Sequence, residues 1–521
     1  MKWRKGELFI TIGLYLLIIP FFNALNATGY ENPQIQGYFG ATGTEFMYMT
    51  LVPFFVLVAG IPLALELLKR FPLRSLMQFI IIACVLLNTC SAYAPGIWWF
   101  TLCRSLLAFF TIFGIVAALI PIVMRYNPAL NMAILYGIVQ FIIQGSSLLY
   151  KFLGAHFAHI YDWRTSILMV NINFLLCIIL TWIFLRKNVS PPKKPFSFDF
   201  KGWSIMILFL VPVLFLAVEG QIREWFTDRG VITAVVLLPV IAGLYAVYSK
   251  YTEHPLIDLK VFTYRNVAIG TLLYFLTGAM NGTGSIITGF MGGILGFDDL
   301  YMARTHLFVF AGLALSVPLC TYMLYRRSHI SIVVISGFTA FALYHILMYF
   351  RFYPGIAPKD FMWPLIIKGV GIGFLYVLSS LYISEKVPKQ LSTSRMMSGV
   401  IARIVFATML GASVLTTVVS RLTVMHTTGI GQQITPGNKA AEEKYENARD
   451  YYLSQGLKAS EADKMADNPL RHDVQKPAAM LAYKDIYLVM AVVSIIPTLF
   501  IVLFRLGRRP LRKVEVEPIP L

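Results

Sequence analysis

An apolar run of 28 residues, 97–124, contains a single charged residue, Arg104. Because a helix rises about 1.5 Å per residue, this run is longer than the roughly 30 Å hydrocarbon core of a bilayer. An arginine in such a segment costs at least about 2.5 kcal/mol on insertion scales, so its guanidinium should face protein or water rather than lipid. The run predicts a helix that crosses a membrane.

The small and polar residues of this run share one helical face. Thr101, Arg104, Ser105, Ala108 and Thr111 follow the i, i+3, i+4, i+7 spacing. We interpret this face as the lining of a polar passage through the membrane. The structural alternative is an arginine that extends toward the membrane surface or binds backbone carbonyl groups.

Many further apolar runs are present in the chain. Of its 521 residues, 57% are hydrophobic and only 13% are charged, and a soluble chain would carry about twice that charge. We count fourteen candidate spans, at about 8–26, 45–68, 73–93, 97–124, 129–153, 165–186, 202–221, 231–250, 266–292, 303–325, 329–350, 362–384, 398–421 and 485–505. The first run lacks a small-x-small cleavage site, so we interpret it as an uncleaved span. The predicted fold is an all-α polytopic membrane protein.

The net charge of +18 is distributed at the ends of the apolar runs, which argues against a nucleic-acid partner. Fourteen spans place 25 Lys and Arg residues on one side and 6 in the short loops of the other side. Lys and Arg are enriched in cytoplasmic loops. Both termini are therefore predicted to be cytoplasmic.

Two segments interrupt the regular succession of spans. Residues 188–201 form a Pro- and Lys-rich linker after the sixth span, and 422–483 form a polar outer loop. We predict short helices in this loop at 438–455 and 460–466, the second with Ser460 as N-cap, and interpret the loop as a solvated lid or spacer. All five cysteines lie inside apolar runs, so neither a disulfide framework nor a metal site is predicted.

The fifth span carries a polar stripe. Gly137, Gln140, Gln144, Ser147 and Lys151 are separated by steps of 3, 4, 3 and 4 residues, which places them on one helical face. The stripe either lines a cavity or holds helices together, because Gln and Ser hydrogen-bond between membrane helices. Glycines 369, 371 and 373 predict close helix packing.

Intramembrane cations outnumber the carboxylates. The predicted substrate-cavity residues are Arg104, Gln140, Gln144, Lys151, Asn281, Lys368 and Arg403. Glu219 is the clearest carboxylate within a span besides Glu66, and we predict it to be the proton-coupling group. Because a buried cation without a partner is costly, the expected substrates are amphipathic anions or neutral molecules.

Short motifs in a fixed order along the chain resemble the major facilitator superfamily, and more narrowly its fourteen-span drug:proton antiporters of the EmrB/QacA type. They are Gly60 through Glu66 to Arg74, Arg104, Asp162-Trp163-Arg164 with Asn171, Asp199 to Gly202 with Trp225, Glu253 to Asn266, and Ser398-Gly399 with Arg403 and Gly411. The resemblance implies two six-helix halves, 1–187 and 263–521, with two extra helices in 188–262. It also implies a cytoplasmic gate, which we assign to Glu66, Lys69, Arg70 and Arg74.

The resemblance implies a secondary transporter that exports amphipathic molecules by alternating access. No GxxxxGK[ST] loop occurs, so an ion gradient would supply the energy, and neither an enzymatic activity nor a cofactor is predicted. The implied location is the bacterial cytoplasmic membrane. Implied partners are the small amphipathic substrate, the lipid bilayer, a periplasmic adaptor and an outer-membrane channel.

The chain departs from the family pattern at three places. The fifth span lacks the Gly-Pro motif, the first span lacks an acid, and Leu107-Ala108 stand where the family has Gln-Gly. Another kind of coupling therefore remains an alternative. A second alternative is an intramembrane lipid-modifying enzyme that uses His156, His159 and Asp162. The third alternative is a receptor or scaffold, but the sequence contains no large soluble domain to support it.

Overall fold

The computed structural model describes residues 5–26, 28–30, 32–125, 132–185, 198–326, 328–385, 387–432 and 439–504. The secondary structure of these residues is helical. The helices are α1 (Lys5–Asn23), α2 (Asn32–Phe39), α3 (Gly43–Leu67), α4 (Leu73–Ala92), α5 (Ile97–Arg125), α6 (Met132–Ile160), α7 (Trp163–Phe184), α8 (Phe200–Glu219), α9 (Arg229–Tyr251), α10 (Arg265–Gly282), α11 (Gly284–Gly289), α12 (Asp299–Tyr325), α13 (Ile330–Tyr349), α14 (Met362–Ser384), α15 (Ser392–Val400), α16 (Gly411–Gly431), α17 (Lys439–Ser454) and α18 (Ala459–Leu503).

The helices reproduce the fourteen predicted spans. Eleven of those described are long and apolar enough to cross a membrane, and α1 adds the shorter apolar helix Ile10–Asn23. The other two spans are interrupted helices. In one, α10 and α11 continue into the π-helix Phe290–Ile294, and in the other the π-helix Ile401–Leu410 joins α15 to α16. The predicted all-α, fourteen-span fold is confirmed.

The buried apolar residues form two large clusters. One is built mainly from α1 to α8 and the other mainly from α10 to α18. A few residues cross between them: Met397 and Val405 belong to the first cluster, and Tyr30 belongs to the second. Each half of the chain thus has its own core. The exact boundaries at 187 and 263 stay predictions, and most of the 188–201 linker lies outside the described residues.

The two extra helices, α8 and α9, pack on each other and contact both halves. The Trp203 indole on α8 donates a hydrogen bond to the carbonyl of Ala59 on α3, at 2.8 Å. The Trp225 indole, between α8 and α9, donates to the Thr417 hydroxyl on α16, at 2.9 Å. The pair therefore lies beside the bundle, where it contacts α3 and α16.

The predicted outer loop 422–483 is mostly helical, which corrects the sequence analysis. Helix α16 continues to Gly431, and α17 matches the predicted helix 438–455 closely. The predicted short helix 460–466 and the predicted last span 485–505 are one helix of 45 residues, α18. Its N-cap is Lys458 and not Ser460.

Packing against α17 explains why α18 extends so far. Ala462, Ala466, Val474 and Ala478 are buried at multiples of four residues, so a small apolar stripe runs through the polar sequence. The Arg449 and Asp463 side chains form an ion pair across the two helices, at 2.6 Å. Tertiary contacts thus stabilise a helix that its internal prolines disfavour.

Contacts join the halves at both ends of the bundle. We name the face where α1 begins and α18 ends the terminal face, and the opposite face, with α17, the hairpin face. At the hairpin face, the amide of Gln34 on α2 donates to the Asp299 carboxylate at 3.0 Å. The Tyr30 and His306 rings lie 5.6 Å apart there. At the terminal face, Met397 packs into the core of the first half.

Candidate functional site

The polar stripe of helix α6 faces the second half of the chain. The Gln140 amide donates a hydrogen bond to the Ser380 hydroxyl on α14, at 2.7 Å. One turn earlier, the Tyr136 hydroxyl is hydrogen-bonded to the Ser384 hydroxyl at 2.6 Å. The Gln140 side chain is buried. The predicted cavity residue Gln140 therefore lies at the interface between the halves.

Arg403 meets Gln140 at this interface. Its Nη1 donates to the Gln140 amide oxygen at 3.3 Å, and its guanidinium carbon lies 4.3 Å from the Tyr376 ring centroid. The residue belongs to the π-helix Ile401–Leu410, a geometry that is frequent at functional sites. We name the group formed by Tyr136, Gln140, Tyr274, Tyr376, Ser380, Ser384 and Arg403 the interface cluster. It brings together α6, α10, α14 and the π-helix.

Lys368 and Asn281 extend the interface cluster into the second half. Lys368 is only 4% exposed, and its Nζ donates to the Asn281 carbonyl oxygen at 3.3 Å. The same Nζ lies 5.4 Å from the Tyr344 ring centroid. The Asn281 side chain is hydrogen-bonded to the Tyr376 hydroxyl. Two predicted cavity cations, Lys368 and Arg403, thus lie at opposite ends of one chain of contacts.

Arg104 binds backbone carbonyl groups, which favours the structural alternative over the predicted passage lining. The side chain is buried, and Nη1 donates to the Ala24 carbonyl at 2.9 Å. Nη2 donates to the Leu25 carbonyl at 3.3 Å, and the Asn88 amide oxygen is 3.5 Å from Nη1. These carbonyls follow the end of α1, where unsatisfied groups and the helix dipole attract a cation.

Arg104 and Lys368 occupy corresponding positions in the two halves. Arg104 lies on the fourth span of the first half and binds carbonyls at the end of the first span. Lys368 lies on the fourth span of the second half and binds the last turn of α10, the first span of that half. The chemical difference is that an arginine keeps its charge in proteins, whereas a lysine can lose its proton.

The remaining stripe residues lie further along α6. Gln144 is half-buried, and the Lys151 side chain packs against the backbone after α1. A Cβ placed on Gly29 would be 3.3 Å from the Lys151 Cδ. The Lys151 charge is close enough to act on both Lys368 and His306. Lys151 therefore lies on the hairpin-face side of the interface cluster.

Glu219, the predicted proton-coupling group, ends α8. Its carboxylate accepts hydrogen bonds from the Arg223 guanidinium at 3.0 Å and the Tyr48 hydroxyl at 3.3 Å. Tyr48 lies on α3 and Arg223 in the turn after α8, so Glu219 connects the end of the extra helix α8 with the first half of the chain. Its role in coupling stays a prediction.

The predicted gate residues separate into two groups. The Lys69 Nζ and the Glu66 carboxylate form an ion pair at 2.7 Å, and because α3 ends at Leu67, Lys69 and Arg70 lie in the turn before α4. Arg74 instead lies over the Trp182 ring on α7, 4.0 Å from its centroid. Arg74 thus contacts another helix of the first half, and the assignment of all four residues to a gate stays a prediction.

The two histidines of the enzyme alternative, His156 and His159, lie at the end of α6, on the helix rather than in an outer loop. His156 stacks on Phe152, and Asp162 forms an ion pair with Arg164 at 2.6 Å. In the part of the chain that the structure describes, no group of three or more His, Cys, Asp or Glu residues is arranged to hold a metal ion.

Sequence reasoning missed a buried polar group next to Lys368. His345 is fully buried, with Nε2 3.4 Å from the Thr283 hydroxyl and Nδ1 3.4 Å from the Ser494 hydroxyl. The Tyr344 and Tyr487 hydroxyls are 3.0 Å apart. The available signal was the Tyr-His pair inside an otherwise apolar span.

An apolar groove with a volume of about 460 Å³ lies between α6 and α12, near the terminal face, and it is open to the surface at Tyr322 and Tyr325. Its lining residues are Ile134, Gly137, Ile138, Phe141, Ala314, Val317, Pro318, Thr321, Tyr322 and Tyr325. Gly137 of the predicted stripe lies at the floor of this groove against Thr321, one turn of α6 from Gln140. An apolar space thus lies close to the polar interface cluster.

Comparison with known proteins relates the chain to transporters. It is 24% identical over 329 residues to the colistin resistance protein EmrB of Acinetobacter baumannii, an alignment covering 61% of this chain and 60% of that protein. It is 23% identical to the fatty acid resistance protein FarB of Neisseria gonorrhoeae, covering 87% and 89% of the two chains.

Solved structures and a family model agree with this relation. The structure of a POT family transporter in complex with a thioalcohol-conjugated peptide superposes with a TM-score of 0.60, at 14% identity and 96% coverage of both chains. That likeness shows the fold. The model of the Major Facilitator Superfamily matches residues 12–421. The chain therefore belongs to the major facilitator superfamily of membrane transporters, and the predicted resemblance is confirmed.

Proposed function

We propose that this transporter exports amphipathic anionic or neutral molecules across the bacterial cytoplasmic membrane, coupled to protons and by alternating access. The observation that carries the proposal is the interface cluster, where hydrogen bonds such as that from Arg403 to Gln140 join the halves. Opening of either face has to separate groups of the two halves, so such a contact can break and re-form in each cycle.

The charge of the interface cluster supports an anionic substrate. Arg403 and Lys368 supply two cations, whereas the surrounding side chains are tyrosines, serines and amides. A negatively charged headgroup is favoured beside buried cations, and the aromatic rings can hold an apolar body. The name of FarB, a relative aligned over most of its length, states resistance to fatty acids.

The first prediction concerns this charge preference. Export of a fluorescent substrate from inverted vesicles with an imposed pH gradient should be inhibited more strongly by an anionic amphiphile than by a cationic amphiphile with the same alkyl chain. Neutral amphiphiles should be intermediate. Stronger inhibition by the cation would contradict the proposed substrate class, and vesicles lacking the protein report leakage caused by each amphiphile.

The second prediction concerns Glu219. If its carboxylate carries the coupling proton, Glu219→Gln should make transport independent of the pH gradient while substrate binding stays measurable. Exposed Glu253→Gln provides a matched control that keeps normal coupling. If Glu219→Gln still shows full transport driven by the pH gradient, Glu219 is not the coupling group, and its ion pair with Arg223 only stabilises the structure.

The third prediction concerns orientation. The excess of Lys and Arg predicts cytoplasmic termini and a periplasmic hairpin face. In a cysteine-free background, single cysteines at 193 and 460 should react with an impermeant thiol reagent from opposite sides. Reaction of both from the same side would contradict the topology. In this orientation, α17 and the start of α18 lie where a periplasmic adaptor and an outer-membrane channel would dock.

A further inference from the structure

The Lys368 ammonium is buried and has no carboxylate partner among the residues that the structure describes. Among the described residues, no Asp or Glu side chain forms an ion pair with its ammonium, and one hydrogen bond, to the Asn281 carbonyl, is within reach. Gly284 leaves the room that the ammonium occupies, because a Cβ there would lie 2.5 Å from Nζ. The Lys368 ammonium thus occupies a space that Gly284 leaves open, and no negative charge among the described residues lies beside it.

Among the described residues, the groups around Lys368 are basic or neutral. The nearest are Lys151 on α6, His306 on α12, and Tyr344 and His345 on α13. Tyr487 on α18 lies behind Tyr344, and Tyr376 and Arg403 lie beyond Asn281. Lys151 and the ammonium repel each other, and neither histidine can supply a negative charge. The described part of the chain therefore provides no counter-charge for the Lys368 ammonium.

An uncompensated buried charge is unfavourable by several kcal/mol. Two events relieve that cost: the ammonium releases its proton, or an anion binds beside it. The two events exclude each other, because an anion has no reason to bind beside a neutral amine. A proton on Lys368 and an anion next to it should consequently bind together.

We propose that Lys368, with the Asn281 amide and the Tyr376 hydroxyl, forms the headgroup subsite, where a carboxylate or sulfonate binds together with a proton. This inference rests on the proposed function and names the atoms that would hold the substrate. Arg403 lies against the Tyr376 ring and donates to Gln140 of the first half, so a headgroup between the two cations would lie in the second half, next to the interface between the halves. Binding takes up one proton at Nζ, and that proton leaves when the anion leaves. It is therefore separate from the coupling proton that we propose for Glu219, which moves in the opposite direction.

The sign of the pH dependence follows from this linkage. Raising the pH removes the Lys368 proton, so anion affinity should fall, at most by about tenfold per pH unit where the amine is neutral. A carboxylate-based site that binds cations shows the opposite sign, because a proton and a cation compete for it. The corresponding Arg104 of the first half keeps its charge and contributes no such dependence.

The experiment measures protons taken up when an anion binds to the purified full chain in lipid nanodiscs. Decanesulfonate is the probe, because it keeps its charge at every pH used. Calorimetric titrations at pH 7.5 in two buffers of different ionisation enthalpy give the proton number. The expected result is net uptake approaching one proton per bound anion, and an affinity that falls as the pH rises.

Five variants, one of them a control, locate the proton. Lys368→Arg should bind decanesulfonate without proton uptake and without the pH dependence, whereas Lys368→Met should bind at least tenfold more weakly. Exposed Lys250→Met on α9 is the matched control and should behave as the natural chain. Unchanged uptake in Lys368→Arg, or unchanged affinity in Lys368→Met, would overturn the proposal. Loss of uptake in His345→Gln or His306→Gln, with uptake kept in Lys368→Arg, would also overturn it.

Failure of the subsite and failure of the proposed function give different results. If the chain takes up a proton with decanesulfonate but vesicles export no amphiphile, the subsite stands and the export function is wrong. If vesicles export anions but binding takes up no proton, the export function stands and the Lys368 subsite is wrong. Size-exclusion profiles of the variants identify any that do not fold.

Discussion

Replacing Arg104 with Met should lower the apparent melting temperature by several degrees and remove most transport. The guanidinium donates to the carbonyls of Ala24 and Leu25, and hydrogen bonds of a charged donor contribute about 1.5–3 kcal/mol each. Their loss would leave the end of α1 with buried, unsatisfied carbonyl groups. Thermal unfolding in detergent and efflux from vesicles measure the two effects.

The Arg104→Lys variant and an exposed arginine sharpen this test. Lysine keeps the charge but lacks the planar set of donors, so Arg104→Lys should retain part of the stability and of the transport. Arg229, exposed at the start of α9, provides the control Arg229→Met, which should change neither quantity. If Arg104→Met resembles Arg229→Met in both measurements, Arg104 does not stabilise the end of α1.

Replacing Gly369 with Ala should reduce the yield of folded protein sharply. Helices α12 and α14 touch here through their backbones, since a Cβ on Gly369 would fall on the Val309 carbonyl oxygen and 2.9 Å from the Gly312 Cα. The helices would have to separate, and overpacking of this kind costs about 1–3 kcal/mol. Fluorescence-detected size exclusion and a melting curve measure the loss.

Gly243 on α9 offers a matched control for the same chemical change. A Cβ there would meet no atom within 4 Å, so Gly243→Ala should be neutral or stabilise the helix by up to about 1 kcal/mol. Equal melting temperatures for the two alanine variants would show that the α12–α14 contact tolerates a methyl group. The result separates close packing from helix propensity, which favours alanine at both positions.

The spans themselves could be predicted from the sequence because a bilayer imposes them. Each crossing needs about twenty apolar residues with internally satisfied backbone groups, so even the interrupted helices around Gly282 and Arg403 remain visible as apolar runs. The close packing at Gly369 could also be predicted, since small residues let membrane helices approach. The polar stripe on α6 predicted that Gln140 faces another helix or a cavity.

Which partner each polar side chain meets was decided by the tertiary structure. Sequence spacing fixes the helical face of Arg104, but the carbonyls that it binds follow α1, which is distant in sequence. The Trp182 ring beneath Arg74 likewise comes from a distant helix. The same holds for α18, whose polar first part is helical because α17 packs against it. Periodicity along one helix determines which side chains share a face, whereas the energy of a buried charge depends on the atoms that other helices place beside it.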